Sequence, residues 1–529
     1  MVFSWPNINK IKNKSTVGSV TLILGSLFVT CWTLFRFYTK SVNFDQTGQQ
    51  LLARHWLDGS LGGSLMAPTN YIIKMVSLYM PAEIIGINHN AFLIFSTLII
   101  NVVTYIGIYI IVKKILEFFS IPVSVIFNLL MLWLSTIVGS VFWIQFTNSR
   151  NIEVVAGLGI VYLGLLLGKK VSPKLVISLI VLSTVTFFAD PMQLFITTTS
   201  LLLYLIINSI FIDTDKKKNT IVVVISVIIG YLLSILLTSV VKSITHVEFF
   251  GVGSLDQSLA IFSQPKLVIV ETAKNLLRLI AGTNEMGSWR QVLNIGLAAL
   301  MILAVIRLVV QKKLSKKFIL FITISVLTPI MVYIASGQPV FKTDTSRYLI
   351  MIVPAMLIGF ASLELHKGLI RKIIIAIIVL ILFANIVSLL NATIKTQSFD
   401  LVGESVLRNR YEYLIANDYR YGYSSMDTAI PSMYLFGNKY NTLLPLSCEN
   451  NKLRKSTLFY DKSVFENNNL IPVKNVPIIL DGNAISNSPS VCTVDGIATQ
   501  LGAPLRLEKT QNGDEVLIYK YDSIKNISF

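Results

Sequence analysis

Long apolar runs dominate the sequence, and they constrain the fold more than any other feature. Each run is about 20 residues long, the length that a helix needs to cross a bilayer. Of the 529 residues, 53% are hydrophobic and only 14% are charged, too little charge to cover a soluble protein of this size. The sequence therefore predicts an α-helical polytopic membrane protein with about 11 transmembrane helices. The runs lie roughly at 17–36, 91–112, 121–143, 152–168, 174–189, 192–212, 219–241, 291–310, 318–335, 348–365 and 373–392.

The net charge of +17 comes entirely from residues 1–392. Residues 393–529 hold 14 of the 45 basic residues and 14 of the 28 acidic ones, which leaves 31 basic and 14 acidic residues before them. Those basic residues cluster at alternate ends of the apolar runs, the pattern of positive-inside topology. We therefore expect a cytoplasmic N-terminus, a C-terminus on the outer side and no nucleic-acid partner.

This topology predicts two domains, a transmembrane domain at 1–392 and a soluble extracytoplasmic domain at 393–529. The outer loops of the first lie at about 37–90, 242–290 and 336–347, with an amphipathic stretch at 266–280. The second combines a helical run at 402–417 with short apolar segments, a mixture typical of an α/β or α+β domain. The short segments lie at 440–446, 476–480, 505–508 and 516–521.

Cysteine and histidine are scarce. The chain has three cysteines and four histidines, without the spacing of a thiolate cluster or a zinc site, so no metal or other cofactor is indicated. Cys448 and Cys492 both fall in the soluble domain on the oxidising side, and we predict a disulfide between them. The alternative is two buried free thiols. Cys31 lies within the first apolar run.

Asp45 follows the first apolar run by a few residues. The stretch from Gln49 to Trp56 has the pattern of an amphipathic interfacial helix, and Trp56 suits the headgroup layer. A carboxylate at this boundary can act as a general base toward an acceptor hydroxyl. It can equally cap the helix that follows. The residues alone leave both roles open.

Two further polar groups lie at predicted outer ends of apolar runs. Arg150 and Glu153 are three residues apart, so they form either a local ion pair or a contact to a sugar or acceptor, and the sequence favours the contact slightly. Asp190 precedes Pro191, the arrangement of a helix N-cap. By itself this pattern favours the cap over a substrate contact.

Arg347 directly precedes the run at 348–365 and so lies at headgroup level, with Lys342 nearby. A guanidinium binds phosphate through a planar fork of donors and keeps its charge there. Because an outer arginine opposes the positive-inside trend, we predict phosphate binding by Arg347 and Lys342 rather than a snorkelling anchor. The chain has no Walker A loop, GxGxxG or GxSxG elbow, so a transferase would use a donor embedded in the bilayer.

Together these features resemble the GT-C superfamily of polytopic glycosyltransferases. The resemblance lies in Asp45 after the first span, in the stretches 150–153 and 189–191, and in Asp344 to Leu349 before a late span. It extends to the soluble domain through 421–425, which looks like the appended domains of bacterial members. The resemblance implies a GT-C-like fold and a polyprenyl-phosphate sugar donor.

The resemblance also implies roles for individual residues. Asp45 would be the catalytic base, and Arg347 would contact the lipid phosphate. The substrate contacts would be Arg150, Glu153, Asp190, Asp344 and Tyr423. Gln46 stands where many members have a second carboxylate, which leaves the base and any divalent metal open.

The expected activity is transfer of a sugar to a cell-surface glycan, with inversion, at the bacterial inner membrane. The plan of spans and outer loops also looks like the serotype-converting glucosyltransferases that modify O-antigen. Two rivals remain: a lipid-linked oligosaccharide polymerase or ligase, and a lipid-glycan transporter or flippase. A transporter would need polar residues at mid-membrane depth, and the apolar runs hold few.

Overall fold

The computed structural model confirms the predicted class, a helical polytopic membrane protein with a C-terminal domain built on a β-sheet. By internal contacts the chain divides into two compact units. Unit one comprises Met1–Leu34, Leu98–Leu236 and Gly253–Gln397, and unit two comprises Phe35–Thr97, Leu237–Val252 and Ser398–Phe529. The structure describes residues 8–39, 44–59, 65–66, 72–136, 151–245, 248–249, 264–281, 288–336, 349–395, 400, 403–437, 441–449, 452–456, 475–481, 493–525 and 527.

Fifteen α-helices precede the C-terminal domain in the described part of the chain, and five of them adjoin π or 3₁₀ turns, which lie at Met75–Tyr79, Leu194–Thr198, Thr214–Lys216 and Ser362–Leu365. They are α1 (Ile8–Thr39), α2 (Phe44–Leu57), α3 (Ile72–Lys74), α4 (Met80–Ile85), α5 (His89–Phe118), α6 (Val125–Thr136), α7 (Asn151–Lys169), α8 (Pro173–Ala189), α9 (Thr199–Phe211), α10 (Lys217–Thr245), α11 (Pro265–Ala281), α12 (Ser288–Val310), α13 (Lys316–Ala335), α14 (Ile352–Ala361) and α15 (Gly368–Lys395).

Every predicted transmembrane run falls on an apolar helix. Among the described residues, eight helical segments are long and apolar enough to cross a membrane. The other three predicted runs, at 121–143, 174–189 and 348–365, coincide in part with the shorter apolar helices Val125–Thr136, Pro173–Ala189 and Ile352–Leu365, while residues 137–143 and 348 lie outside the described residues. The amphipathic stretch at 266–280 is helix α11, as its pattern predicts.

Helices α1 and α5 pack closely inside unit one. A Cβ atom added at Gly25 would lie 1.9 Å from the Tyr105 Oη, so only glycine permits this approach. Between the same two helices, the Asn101 Nδ2 of α5 donates to the Thr33 Oγ1 of α1 at 2.9 Å, which satisfies two buried polar groups. Backbone contact and side-chain hydrogen bonding together fix the two helices, as is common between membrane helices.

Unit two is built around a six-stranded sheet, which consists of β3 (Tyr421–Ser425), β4 (Thr442–Glu449), β5 (Lys452–Lys455), β6 (Asn475–Ile479), β7 (Arg506–Lys509) and β8 (Glu515–Lys520). The strand order across the sheet is β5-β4-β3-β6-β8-β7. The pairs β3–β4 and β3–β6 are parallel, whereas β4–β5, β6–β8 and β7–β8 are antiparallel. A separate parallel pair joins β1 (Leu65–Met66) to β2 (Glu248–Phe249), one from each long predicted outer loop. The helices of the C-terminal domain are α16 (Glu404–Ala416), α17 (Met426–Phe436), α18 (Val494–Leu501) and α19 (Tyr521–Lys525).

The sequence predicts half of the described elements of this C-terminal domain. Its helical run is α16, and its four short apolar segments are β4, β6, β7 and β8. The elements β3, α17, β5, α18 and α19 are not predicted from the sequence. Strand β3 has the sequence Tyr-Gly-Tyr-Ser-Ser, and all five residues are buried. Its small and polar residues do not give the apolar pattern by which a buried strand is recognised.

Candidate functional site

Asp45 lies in the first turn of α2, which begins at Phe44, five positions after the end of α1. The predicted start near Gln49 is therefore wrong by more than one turn, and Asp45 belongs to the helix rather than preceding it. An acidic residue in a first turn is favoured by the helix dipole. The Asp45 side chain lies outside what the structure describes, so its role as base stays a prediction.

The middle of α2 is buried on all sides. Residues 47–53 are all buried, and the six of them other than Gly48 are each 0–1% exposed. The amphipathic sequence pattern instead predicts that one face of the helix is exposed to solvent. Gln50 is one of these buried residues, and its side-chain amide has no hydrogen-bond partner among the described residues. A buried amide normally finds a partner, so Gln50 offers hydrogen-bonding capacity inside unit two. Helix α2 is thus a core element of that unit.

Arg54 joins α2 to the last turn of α17 through hydrogen bonds to backbone oxygens. Its Nη1 donates to the backbone oxygen of Met433 at 3.2 Å, and its Nη2 to that of Tyr434 at 3.0 Å. The guanidinium carbon also lies 5.3 Å from the centre of the Tyr434 ring. Since α17 ends at Phe436, Arg54 binds carbonyls at the end of a helix where a cation is favoured.

Glu83 and His89 complete what we call the Arg54 cluster, which consists of Arg54, Glu83, His89 and Tyr434. The Glu83 Oε2 lies 3.5 Å from the Arg54 Nε and 3.4 Å from the His89 Nε2. The His89 and Tyr434 rings are 4.9 Å apart at an angle of 30°. Burial raises the pKa of Glu83, but hydrogen bonding to His89 and the Arg54 charge outweigh it, so the pKa falls below its usual 4.5.

A second polar group, the Arg290 cluster, is buried in unit one. It consists of Arg290 and Asn294 on α12, Trp133 and Thr136 on α6, and Asn385 on α15. The Trp133 Nε1 donates to the Asn294 Oδ1 at 2.8 Å, and the Asn294 Nδ2 lies 3.3 Å from the Asn385 Oδ1. Arg290 is 0% exposed at the start of an apolar span, where a charge is costly and marks function or a fixed structural pair.

The structure gives Asp190 capping contacts. Its Oδ1 accepts the backbone N–H of Met192 at 3.2 Å, and its Oδ2 accepts the side-chain amide of Gln193 at 3.1 Å. These are the contacts of the capping alternative that the sequence favours. Asp190 is 1% exposed, so a substrate contact would require this hydrogen bonding to open.

Glu153 and Tyr423 are also buried, at 3% and 4% exposure. Glu153 lies in the first turn of α7, where its partner in the predicted ion pair, Arg150, falls outside the described residues. Tyr423 lies in β3, opposite Leu444 of β4 and Ile478 of β6. Its ring is part of the core of unit two, and burial raises the pKa of its hydroxyl. Neither position tests the predicted substrate contact.

The remaining predicted residues cannot be compared with the structure. Lys342, Asp344, Arg347 and Cys492 lie outside the described residues, as does the side chain of Cys448. Within the part that is described, no three His, Cys, Asp or Glu side chains come together as a metal site.

Sequence reasoning missed both clusters, for different reasons. Arg54 contacts residues 379 and 380 positions away, a pairing that no local pattern reveals. Arg290 could have been recognised in the sequence, because it immediately precedes the apolar run at 291–310 on the predicted outer side. Arg347 has the same position relative to the run at 348–365. Applying the same argument to both arginines would have found it.

Comparison with solved structures finds a similarity over nearly the whole chain. The crystal structure of ArnT from Cupriavidus metallidurans bound to undecaprenyl phosphate matches with a TM-score of 0.48 and 10% sequence identity. The match covers 96% of this chain and 98% of that chain. No protein-family model matches the sequence. No curated protein matches it either.

Proposed function

We propose that this protein is a GT-C-type membrane glycosyltransferase. It transfers a sugar from a polyprenyl-phosphate donor to a cell-surface glycan, such as O-antigen, at the bacterial inner membrane, with the soluble domain on the outer side. The observation that carries the proposal is the place of Asp45 in the chain: the first turn of the buried helix that follows the first span. Attachment of α2 to α17 through Arg54 supports a carboxylate held in a fixed position, as a general base requires.

The proposed reaction is a single displacement. Asp45 accepts the proton of the acceptor hydroxyl, whose oxygen forms a bond to the anomeric carbon as the bond from that carbon to the phosphate oxygen breaks. Polyprenyl phosphate leaves with the electron pair, and Arg347 and Lys342 stabilise its charge. A phosphate leaves without a general acid, so one carboxylate suffices and the anomeric configuration inverts. Arg150, Glu153, Asp190, Asp344 and Tyr423 are the proposed substrate contacts.

The test of the base is Asp45→Asn, with Asp58→Asn as its matched control. Asp58 is an exposed acidic residue just beyond the end of α2, so the control removes the same charge from the same segment. With a panel of polyprenyl-phosphate hexoses and a surface-glycan extract, Asp45→Asn should lower sugar transfer by at least about 100-fold. Asp58→Asn should leave transfer unchanged. Equal activity of the two variants at equal protein levels would refute the base assignment.

Donor binding distinguishes two arginines as the phosphate contact. Arg347→Ala should weaken donor binding by roughly 2–4 kcal/mol if the pair is partly desolvated, while Asp45→Asn should leave it nearly unchanged. Arg290→Gln is the parallel variant, since Arg290 is a buried cation at the predicted outer end of α12. Loss of donor affinity in Arg290→Gln alone would move the phosphate role from Arg347 to Arg290.

The same assay separates the rivals. A transporter moves lipid-linked sugar across the bilayer without releasing polyprenyl phosphate. A polymerase or ligase consumes lipid-linked oligosaccharides and leaves the monosaccharide donors intact. Release of polyprenyl phosphate from a monosaccharide donor, dependent on Asp45, is the result expected for the proposed transferase alone.

A further inference from the structure

A polar cavity of about 680 Å³ lies in unit one, between α1, the end of α5 and the start of α6. This volume falls in the range of roughly 300–1,000 Å³ that small-molecule sites occupy. The cavity is at the end of α5 that carries Lys113 and Lys114, directly after the apolar run at 91–112. Basic residues in that place lie at headgroup level, and the charge pattern predicts that this end faces the cytoplasm.

Lys113 supplies the charge of the cavity wall. It is half-buried and lines the cavity, and among the described residues it forms no ion pair. Glu117 lines the cavity too, but its Oε2 is engaged by the Lys114 Nζ at 3.0 Å. Lys113, Lys114 and Glu117 together leave one net positive charge at this end of α5, and Lys113 is the lysine among them that lines the cavity.

Two neutral polar side chains of the wall, Tyr109 and Asn128, are held in place by hydrogen bonds. The Tyr109 Oη donates to the Asn128 Oδ1 at 3.0 Å, and the Asn128 Nδ2 donates to the backbone oxygen of Ser124 at 2.7 Å. A Cβ atom on Gly18 would come within 2.9 Å of the Tyr109 Oη, so α1 lies directly against this wall. Apolar lining comes from Leu22, beside the strongly exposed Ile23 on the outer surface of α1.

We propose that this cavity binds the headgroup of an anionic phospholipid from the leaflet at the Lys113 end. The lipid phosphate pairs with Lys113, the headgroup hydroxyls meet the neutral polar wall, and an acyl chain runs along α1 past Leu22 and Ile23. A pocket between transmembrane helices that carries a lysine at headgroup level is a form of site that such lipids fill. The site is at the opposite predicted side of the membrane from the transferase chemistry, and it stands independently of that proposal.

The test counts phosphatidylglycerol molecules bound to the full-length protein by native mass spectrometry. Lys113→Gln should lower the affinity for phosphatidylglycerol by about tenfold, the loss of one charge-assisted contact, while Lys113→Arg should retain it. Lys170→Gln is the matched control. Lys170 is exposed and adjoins Lys169, whose Nζ lies 5.9 Å from the Phe118 ring centre, so the control removes one charge near the same end of α5.

A second pair of variants fills space without changing charge. Ser19→Phe places a ring in the cavity, whereas Val20→Phe places one on a neighbouring exposed position outside the lining. Bound phosphatidylglycerol should fall in the first and persist in the second. Equal effects of Lys113→Gln and Lys170→Gln, or of the two phenylalanine variants, would overturn the proposal. So would displacement of the lipid by glycerol phosphate at equal concentration, because the occupant would then be a soluble phosphate compound.

Discussion

The Arg54 cluster makes a quantitative prediction about the stability of unit two. Arg54→Ala removes two hydrogen bonds from a charged donor to backbone carbonyls and an ion pair with Glu83. The Arg54 and Glu83 side chains are 21% and 13% exposed, so water can replace part of what is lost. We assign about 1 kcal/mol to each hydrogen bond and about 0.5 kcal/mol to the pair, a total of roughly 2–3 kcal/mol.

For a unit of this size the loss corresponds to a drop of about 5–10 °C in the unfolding midpoint. The measurement is thermal unfolding of the purified protein in detergent, followed by intrinsic fluorescence. Arg54→Lys should fall between the wild type and the alanine variant, because lysine keeps the charge but lacks the fork that binds two carbonyls.

Arg408→Ala is the matched control. Arg408 is also an arginine of unit two with carboxylate partners, Glu404 and Glu412, but its side chain is 46% exposed. Its pairs should contribute less than about 1 kcal/mol. The reasoning is refuted if Arg54→Ala and Arg408→Ala lower the midpoint equally, or if Arg54→Ala unfolds like the wild type. An unchanged midpoint would mean that α2 is held by apolar packing alone, and equal losses would mean that burial of Arg54 adds nothing to the worth of its contacts.

Three further predictions concern pH, disulfide bonding and topology. Because the pKa of Glu83 is lowered on folding, the stability it contributes is present above its unfolded pKa near 4.5 and is lost as pH falls through the folded value. Glu83→Gln should therefore flatten unfolding midpoints measured across that acidic range, and an unchanged slope would contradict the prediction. A non-reducing peptide map should join Cys448 to Cys492, closing a loop worth roughly 3–4 kcal/mol, and two free thiols would exclude the bond. In intact cells, an impermeant thiol reagent should label Tyr460→Cys and not Lys217→Cys, and labelling of the latter from outside would reverse the assignment of sides.

Elements with a local signature could be predicted from the sequence. A run of about 20 apolar residues has few ways to satisfy its backbone in a bilayer other than a helix, so all eleven runs fall on apolar helices. Strands β4, β6 and β8 are apolar enough to be recognised alone, whereas β3 is not, because its burial depends on the strands on either side. Likewise α2 has an amphipathic pattern, but α17 and its neighbours bury nearly its whole circumference.

In the candidate site, too, the sequence indicates which residues are candidates, whereas their contacts depend on the folded structure. Asp45, Asp190 and Arg347 were found from their positions beside apolar runs, since a polar residue at a membrane boundary is visible in the sequence. Whether such a residue caps a helix or meets a ligand is set by its neighbours, and for Asp190 the structure supplies the capping bonds.

The sequence by itself determined the membrane class, the apolar helices and the most apolar strands of the C-terminal domain, because hydropathy acts over a few turns of chain. Only the tertiary structure decided that Arg54 holds the end of α17, that Arg290 is wholly buried and that Lys113 faces a cavity. Each of these depends on residues brought together from distant parts of the chain. The free energy of a charged side chain is set by the atoms that replace its water, and those atoms are fixed only when the chain has folded.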